Sequence, residues 1–143
     1  MLELEARLRR LARRLAYDQR QSEAIGQVGG SGGLSNKAEA MAGLIAERYA
    51  EPLRIEQIAA AVALHPHYAM QLFRRSFGVS IGVYLTQQRI AHAQRLLATT
   101  EQSILMIAFE VGFASASRYY AAFQAHCRPT PRAYRQRMLG NRE

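Results

Sequence analysis

Two short stretches of the sequence carry hydrogen-bonding side chains at the spacing of a helix face. His67, Gln71 and Arg74 are four and three residues apart, and residues at those spacings are neighbours on a helix surface. In the second stretch, Ser117 and Tyr120 are three residues apart, and Arg118 follows Ser117 directly. A guanidinium group donates two parallel hydrogen bonds, a geometry that fits the O6 and N7 atoms of guanine or the oxygens of a phosphate. The chemistry that these residues offer is therefore recognition by hydrogen bonding and charge.

The candidate site residues form two groups, one expected to contact base edges and the other phosphates. The base candidates lie on the expected outer faces of the two helices: His67, Met70, Gln71, Arg74, Ser117, Arg118, Tyr120 and Ala121. The phosphate candidates are cations and hydroxyls near helix starts: Arg75, Ser80, Thr130, Arg132 and Arg135. Helix N-termini at Ser80 and Thr130 can also hold phosphates. Ser115 fits a helix cap as well as a DNA contact, and for every exposed candidate the alternative is a solvated helix face.

Other reactive residue types form no recognisable constellation. His65 and His67 have no matching set of cysteine and histidine ligands, so we expect no metal site. Glu101 and Glu110 are not paired with a nucleophile, and we therefore expect no catalytic site, no enzyme activity and no cofactor. Cys127 is the only cysteine, which excludes an internal disulfide framework and favours a packed thiol.

The composition indicates a basic, helical protein. Of the 143 residues, 49% are hydrophobic, and the formal net charge is +8, with Lys37 as the only lysine. Such a charge implies DNA, RNA or an anionic membrane surface as a partner, without choosing among them. Because no stretch reaches the roughly 18 apolar residues of a membrane span and the N-terminus lacks an apolar signal core, we expect a cytoplasmic location and no membrane contact.

The first 35 residues divide into a helix and a linker. In residues 1–25, Leu4, Leu8, Leu11 and Leu15 form one apolar stripe, which predicts an amphipathic helix. Two interpretations stay open: a dimerisation helix that makes the chain a homodimer, or a helix packed on its own domain or left from a larger protein. Residues 26–35 (GQVGGSGGLS) predict a flexible Gly/Ser linker.

Residues 36–143 predict a series of helices separated by turns. Ser35 or Asn36 can cap the first, which runs to about Ala50. Short helices at 55–62 and from Ser103 each precede a turn and a second helix, at about 66–77 and 115–127. A long helix at about 80–97, with Leu85, Ala93, Leu96 and Leu97 expected to be buried, lies between the pairs. The predicted fold is all-α: two helix-turn-helix subdomains joined by a long central helix, about seven helices, plus the separate N-terminal helix.

An internal repeat supports this division. A shift of 49 residues places Ile58, Ala59 and Val62 on Ile107, Ala108 and Val111, and after one extra residue a shift of 50 places Phe73 on Phe123. The second helix of each pair is left with one face that can enter a major groove. The central helix, at 18 residues, would span about 27 Å at about 1.5 Å per residue. We therefore expect the two recognition helices to enter consecutive major-groove segments.

The residues that fix this pattern resemble the DNA-binding domain of the AraC/XylS family of bacterial transcription regulators. The matching residues are the run 89–97 (RIAHAQRLL), Ser103-Ile104, Ile107-Ala108, Val111-Gly112-Phe113, Ser115, Ser117, Phe123 and the run 130–135 (TPRAYR). The resemblance covers about residues 37–138, and LHPHYAMQLFRR at 64–75 looks most similar to melibiose-operon-type regulators. It implies a sequence-specific activator that binds double-stranded DNA and also contacts RNA polymerase.

The sequence departs from the family pattern in three ways. Arg128 stands where the family usually has glycine, at a position that often requires a positive φ. Gln124 stands where a lysine is common. Nothing in the chain could form the ligand-binding β-domain of the sugar-responsive members, so we expect no small-molecule effector site here and either a fragment or a small member. Two other functions stay open: a nonspecific nucleic-acid binder and a helical protein-interaction module.

Overall fold

The computed structural model describes residues 31–140, and the regular structure of this part is entirely helical, as predicted. Its seven helices are α1 (Ser31–Arg48), α2 (Ile55–Ala61), α3 (Pro66–Phe77), α4 (Ile81–Thr99), α5 (Ile104–Glu110), α6 (Ala116–Cys127) and α7 (Pro131–Gly140). The helix predicted in residues 1–25 and the linker residues 26–30 lie outside the described part and stay predictions.

The chain divides into two compact units, each built around one helix-turn-helix motif. The described part of the first unit contains α1, α2 and α3 and ends at Ile81, and that of the second contains residues 49–53 and everything from Gly82 onward. The central helix α4 begins at the last residue of the first unit and continues into the second. This order of elements agrees with the predicted pair of subdomains and long helix.

Helix α1 begins earlier than predicted, at Ser31 instead of Ser35 or Asn36. The last five residues of the predicted linker are therefore helical in the structure. The two glycines of this turn each disfavour a helix by about 1 kcal/mol relative to alanine, which is a preference and not a prohibition. The apolar face of α1, through Ala38, Met41 and Ile45, is almost fully buried in the first unit.

In the first unit, α1 packs against both α2 and α3. Ile58 and Ala59 of α2 and Ala69 of α3 have at most 1% of their surface exposed. The alanines lack long side chains, so the helices can approach each other closely. Phe73 and Phe77 stack along α3 with ring centroids 4.7 Å apart.

The two turns of the helix-turn-helix motifs share one hydrogen-bond pattern, which confirms the predicted repeat. The backbone N–H of Leu64 donates to the carbonyl of Ala59 at 2.9 Å, and that of Phe113 donates to Ala108 at 3.0 Å. This bond, across six residues, is typical of a Schellman motif, which places the residue before the donor at positive φ. That residue is Ala63 in the first turn (φ 56°) and Gly112 in the second (φ 110°).

The second unit packs α5, α6 and α7 with the buried face of α4. Its core includes Ile107 and Ala108 of α5 and the aromatic rings of Tyr119 and Phe123 on α6. Ser103 caps α5 by accepting a hydrogen bond from the backbone N–H of Met106 at 3.1 Å, as predicted.

Helix α4 buries a different set of residues from the predicted one. Ala93 and Leu97 are buried as expected, but Leu85 and Leu96 are only half-buried. Ile81 and Ile90 are buried in addition, with 2% and 3% exposed. The helix belongs to the first unit only at Ile81 and to the second from Gly82, so its buried residues are decided by tertiary packing that the sequence alone does not show.

An arginine of α4 holds residues 49–53 within the second unit. The Nε atom of Arg89 donates to the carbonyl of Tyr49 at 2.7 Å, and Nη2 donates to that of Glu51 at 3.1 Å. The guanidinium carbon also lies 5.8 Å from the ring centroid of Phe113. Burial lowers the pKa of Arg89 from its ordinary value, because a partly desolvated charge is disfavoured.

Candidate nucleic-acid interface

Helix α3 is fixed at both ends by local chemistry. Pro66 occupies its first turn, and the imidazole Nδ1 of His65 accepts the backbone N–H of His67 at 3.3 Å. Gly78 ends the helix at φ 76°. A proline at the start and a glycine at the end are common at these positions because proline lacks an N–H and glycine tolerates positive φ.

The outer face of α3 presents the predicted base candidates. Ala69, Leu72 and Phe73 are buried and form the inner face of the helix. All four candidates of this helix are exposed: His67, Met70, Gln71 and Arg74. The Nε2 atoms of Gln71 and His67 are 3.2 Å apart, so an amide and an imidazole stand paired in one row that can offer hydrogen bonds to a base edge.

Helix α6 presents the second group of base candidates. The hydroxyl of Ser115 accepts the backbone N–H of Arg118 at 3.2 Å, so Ser115 is a helix cap. Tyr119 and Phe123 are buried. All four predicted base candidates are exposed: Ser117, Arg118, Tyr120 and Ala121. Three further residues toward the end of the helix are exposed as well: Gln124, Ala125 and His126. Arg118 lies in the first turn, and the N-terminal residues of a recognition helix are the ones that contact base edges.

The phosphate candidates are placed less uniformly. Arg75 and Arg132 are exposed, and Ser80 is half-buried just before α4. The hydroxyl of Thr130 accepts the backbone N–H of Ala133 at 3.1 Å and so caps α7. A phosphate role for these four residues stays a prediction.

Arg135 is a correction to the predicted phosphate group. Its Nε donates to the carbonyl of Leu97 at 3.1 Å, and its Nη2 is buried without a hydrogen-bond partner among residues 31–140. The side chain thus ties α7 to the end of α4 within the second unit. The sequence could not reveal this contact, because the two residues are 38 positions apart.

The electrostatic character of the candidate surface is uniform. Helices α3, α6 and α7 contain no aspartate or glutamate, and together they carry six arginines: Arg74, Arg75, Arg118, Arg132, Arg135 and Arg137. The acidic residues of the described part all lie on other segments: Glu39, Glu47, Glu51, Glu56, Glu101 and Glu110. A surface with cations and without carboxylates attracts polyanions.

Two surface features of the second unit have no role among the functional residues that the sequence predicts. On α5, Leu105, Met106 and Phe109 are about half exposed, with Met106 at 57%. The corresponding residues of α2, 49 positions earlier, are Glu56, Gln57 and Ala60, and comparing the two repeats would have exposed this difference. The second feature is the exposed Arg128. The sequence marked it as a departure without giving it a role.

The lone cysteine is packed, as expected. The side-chain amide of Gln94 donates to the sulfur of Cys127 at 3.1 Å. Burial raises the pKa of the Cys127 thiol, which disfavours the reactive thiolate. The thiol is therefore part of the packing around α6 and not part of the exposed face.

Comparison with known proteins identifies the family to which this pair of helix-turn-helix motifs belongs. A profile described as a helix-turn-helix domain matches residues 58–137. The AraC-type DNA-binding domain protein from Chromobacterium violaceum superposes with a TM-score of 0.67 at 27% identity, over 76% of this chain and 96% of that one. The chain belongs to the AraC-type family of helix-turn-helix DNA-binding domains.

Two further matches bear on function. The DNA-binding domain of AdpA, a global transcriptional factor solved in complex with a target DNA, superposes with a TM-score of 0.70 at 27% identity, over 73% of this chain and 95% of that one. The melibiose operon regulatory protein of Escherichia coli (strain K12) is 41% identical over 96 residues, which are 67% of this chain and 32% of that protein.

The chain spans only about a third of the length of the curated AraC-type relatives that it matches. A RhaR transcriptional activator from Yersinia pseudotuberculosis is 44% identical over 69 residues, 48% of this chain and 24% of its own length. These relatives are transcription regulators by name. Among the described helices, none combines the length and apolar character needed to cross a membrane.

Proposed function

We propose that this chain is the sequence-reading part of a transcription regulator, which binds double-stranded DNA through the exposed faces of α3 and α6. The observation that carries the proposal is the duplication itself. Each unit presents a capped recognition helix with one buried face and one exposed, acid-free face rich in hydrogen-bond donors. The complex of the similar AdpA domain with a target DNA supports the same kind of partner.

The proposed roles follow from side-chain chemistry. Arg118 reads a guanine, since its guanidinium can bond O6 and N7 together. Gln71 and His67 contact base edges from α3, while Met70, Tyr120 and Ala121 add apolar contact, and Arg74 and Ser117 add hydrogen bonds. Arg75 and Arg132 hold phosphates, with the helix starts at Ser80 and Thr130 adding backbone N–H groups. We assign Arg135 no phosphate role.

At the level of the whole protein, we propose an activator whose two recognition helices enter consecutive major-groove segments of one duplex. The names of the melibiose operon regulator and of the RhaR activator support transcriptional activation. RNA polymerase is then a second partner, and a homodimer through residues 2–22 is the proposed assembly. These proposals extend beyond the helix-turn-helix part of the chain.

Selection of bound duplexes from a random library at near-physiological salt, followed by sequencing, tests the proposal. Two helix-turn-helix units reading one face predict two short enriched blocks about 10 base pairs apart, the length of one helical turn. Binding without enrichment would replace the proposal with a nonspecific binder. If no duplex is retained at all, DNA recognition by this chain is wrong.

Two substitutions separate base reading from phosphate binding. Arg118→Ala should cost about 1–3 kcal/mol on the selected site and relax preference at one base pair. Arg132→Ala should weaken all duplexes alike and reduce the salt slope by about one. Binding isotherms on the selected and a scrambled duplex measure both effects. An unchanged base preference in Arg118→Ala would remove that residue from the reading face.

A further inference from the structure

Arg128 ends the second recognition helix in a backbone conformation that side chains rarely adopt. Its φ is 71° and its ψ is −51°, and its N–H donates to the carbonyl of Gln124 at 2.9 Å. L-residues at positive φ bring Cβ close to the backbone and are disfavoured. Such outliers persist only where the surroundings hold them, and they concentrate at functional sites.

The corresponding position of the first unit shows that an arginine is not required to end the helix. Fifty residues earlier, Gly78 ends α3 with φ 76°, and its N–H donates to the carbonyl of Arg74 at 2.8 Å. A helix ending with the same hydrogen bond and a similar φ, at ψ −4°, is therefore made by glycine without the steric conflict. Glycine would relieve the backbone strain at position 128. The presence of arginine there therefore indicates that its side chain has a function other than ending the helix.

The distribution of charge along the two recognition helices supplies that reason. The last turn of α3 contains Arg74 and Arg75. The same shift of 50 residues places Gln124 and Ala125 at those positions of α6. The repeat therefore loses two arginines near the end of α6 and gains one at Arg128, whose side chain is exposed.

We propose that Arg128 is a further DNA-contact residue, which donates to a backbone phosphate beside the C-terminal end of α6. The inference rests on the proposed function and extends it to a residue at the helix end. Base edges are read by the N-terminal residues of a recognition helix, so a cation at the opposite end is placed for the phosphate backbone. Arg128 thus takes the phosphate-binding part in the second unit that Arg75 takes in the first.

The test compares Arg128→Gly with Arg128→Lys in the full chain. Binding to the selected duplex and to a scrambled duplex is measured across a salt series, together with the thermal midpoint Tm. Arg128→Gly should raise Tm and still weaken binding to both duplexes by the same factor. The ratio of the affinity of the unchanged chain to that of Arg128→Gly should increase about threefold when the salt concentration falls from about 200 to about 50 mM. This is the change expected for the loss of one phosphate contact. Arg128→Lys, which keeps the charge, should retain the salt slope.

Ala63→Gly is the matched control, because Ala63 is the other described non-glycine residue at positive φ. It should raise Tm and leave the affinity for both duplexes unchanged. Wild-type affinity and salt slope in Arg128→Gly would overturn the inference, and a loss confined to the selected duplex would contradict a phosphate role. If the unchanged chain binds no duplex, the proposed function itself fails, a result distinct from failure of Arg128 alone.

Discussion

The two helix-turn-helix motifs require positive φ at the same two positions and use glycine at opposite ones. In the first motif, Ala63 occupies the turn and Gly78 ends the recognition helix. In the second, Gly112 occupies the turn and Arg128 ends the helix. At both positions the two motifs share a hydrogen bond, from Leu64 and Phe113 after the turns and from Gly78 and Arg128 at the helix ends. A positive φ with this bonding therefore occurs with and without glycine.

The difference lies in what surrounds each position. A Cβ added to Gly112 would lie 2.6 Å from the carbonyl oxygen of Tyr49 and 2.8 Å from Nε of Arg89, whereas one added to Gly78 would meet nothing within 4 Å. Ala63 and Arg128 are both exposed. A positive φ alone therefore tolerates a side chain at moderate cost, but a positive φ combined with a close approach requires glycine.

The largest effect expected from this comparison is that of Gly112→Ala. It combines an unfavourable φ with a collision against backbone, and should lower the free energy of unfolding by about 3 kcal/mol or more. Gly78→Ala has the φ penalty alone and should cost about 1 kcal/mol. Denaturant unfolding of both variants measures the difference. Equal losses of unfolding free energy would show that the close approach of Gly112 to Tyr49 and Arg89 does not affect stability.

Arg89→Met should produce the next largest effect. The methionine keeps an apolar stem but removes the hydrogen bonds that Arg89 donates to the carbonyls of Tyr49 and Glu51, which should cost about 2 kcal/mol. The Glu51 carbonyl keeps the bond from the N–H of Leu53. The exposed Arg95 of the same helix is the control, and Arg95→Met should stay within about 0.5 kcal/mol. The Cβ of Gly112→Ala would lie against Nε of Arg89. The double variant should therefore lose less free energy of unfolding than the sum of the losses in the two single variants.

The smallest effect is expected at Tyr119, which stands where the first unit has Ala69. Its hydroxyl is buried without a hydrogen-bond partner among residues 31–140, so Tyr119→Phe should raise the free energy of unfolding by up to about 1 kcal/mol. A loss of stability would show that the hydroxyl has a partner, such as a buried water.

The same substitution should alter the dependence of stability on pH. Burial, and then the neighbouring Tyr120, raise the pKa of Tyr119 from 10.0 to about 12. The folded state thus holds the proton more tightly than the unfolded state, and this contribution is complete below pH 10 and is lost as the pH rises toward 12. Between pH 10 and 12, the free energy of unfolding should therefore fall less steeply with rising pH in Tyr119→Phe than in the unchanged chain.

Local patterns predicted most of the fold. Apolar spacing indicated the helices, and Pro66, Gly78 and Ser103 stand at three of their ends, because such signals act within one or two turns. The start of α1 was missed because glycine was treated as a break. The buried residues Ile81 and Ile90 of α4 were missed because the unit that each face contacts is decided by tertiary structure.

The candidate site was predictable to the extent that it depends on helix periodicity. Once Ala69, Phe73, Tyr119 and Phe123 are buried, the opposite faces must be exposed, and the base candidates follow. The role of Arg135 did not follow, because its partner is a backbone carbonyl 38 residues away. Backbone carbonyls leave no mark in the sequence, so contacts of this kind are visible only in the fold.

The exposure of the methionine residues orders their susceptibility to oxidation. Among the methionines of α1, α3 and α5, Met106 is the most exposed, at 57%, and Met70 follows at 38%. Met41 is fully buried. Peroxide converts an accessible thioether into a polar sulfoxide and spares a buried one. Mild oxidation will therefore modify the outer face of α3 at Met70 while the core of the first unit stays intact, and methionine sulfoxide reductase can reverse the change.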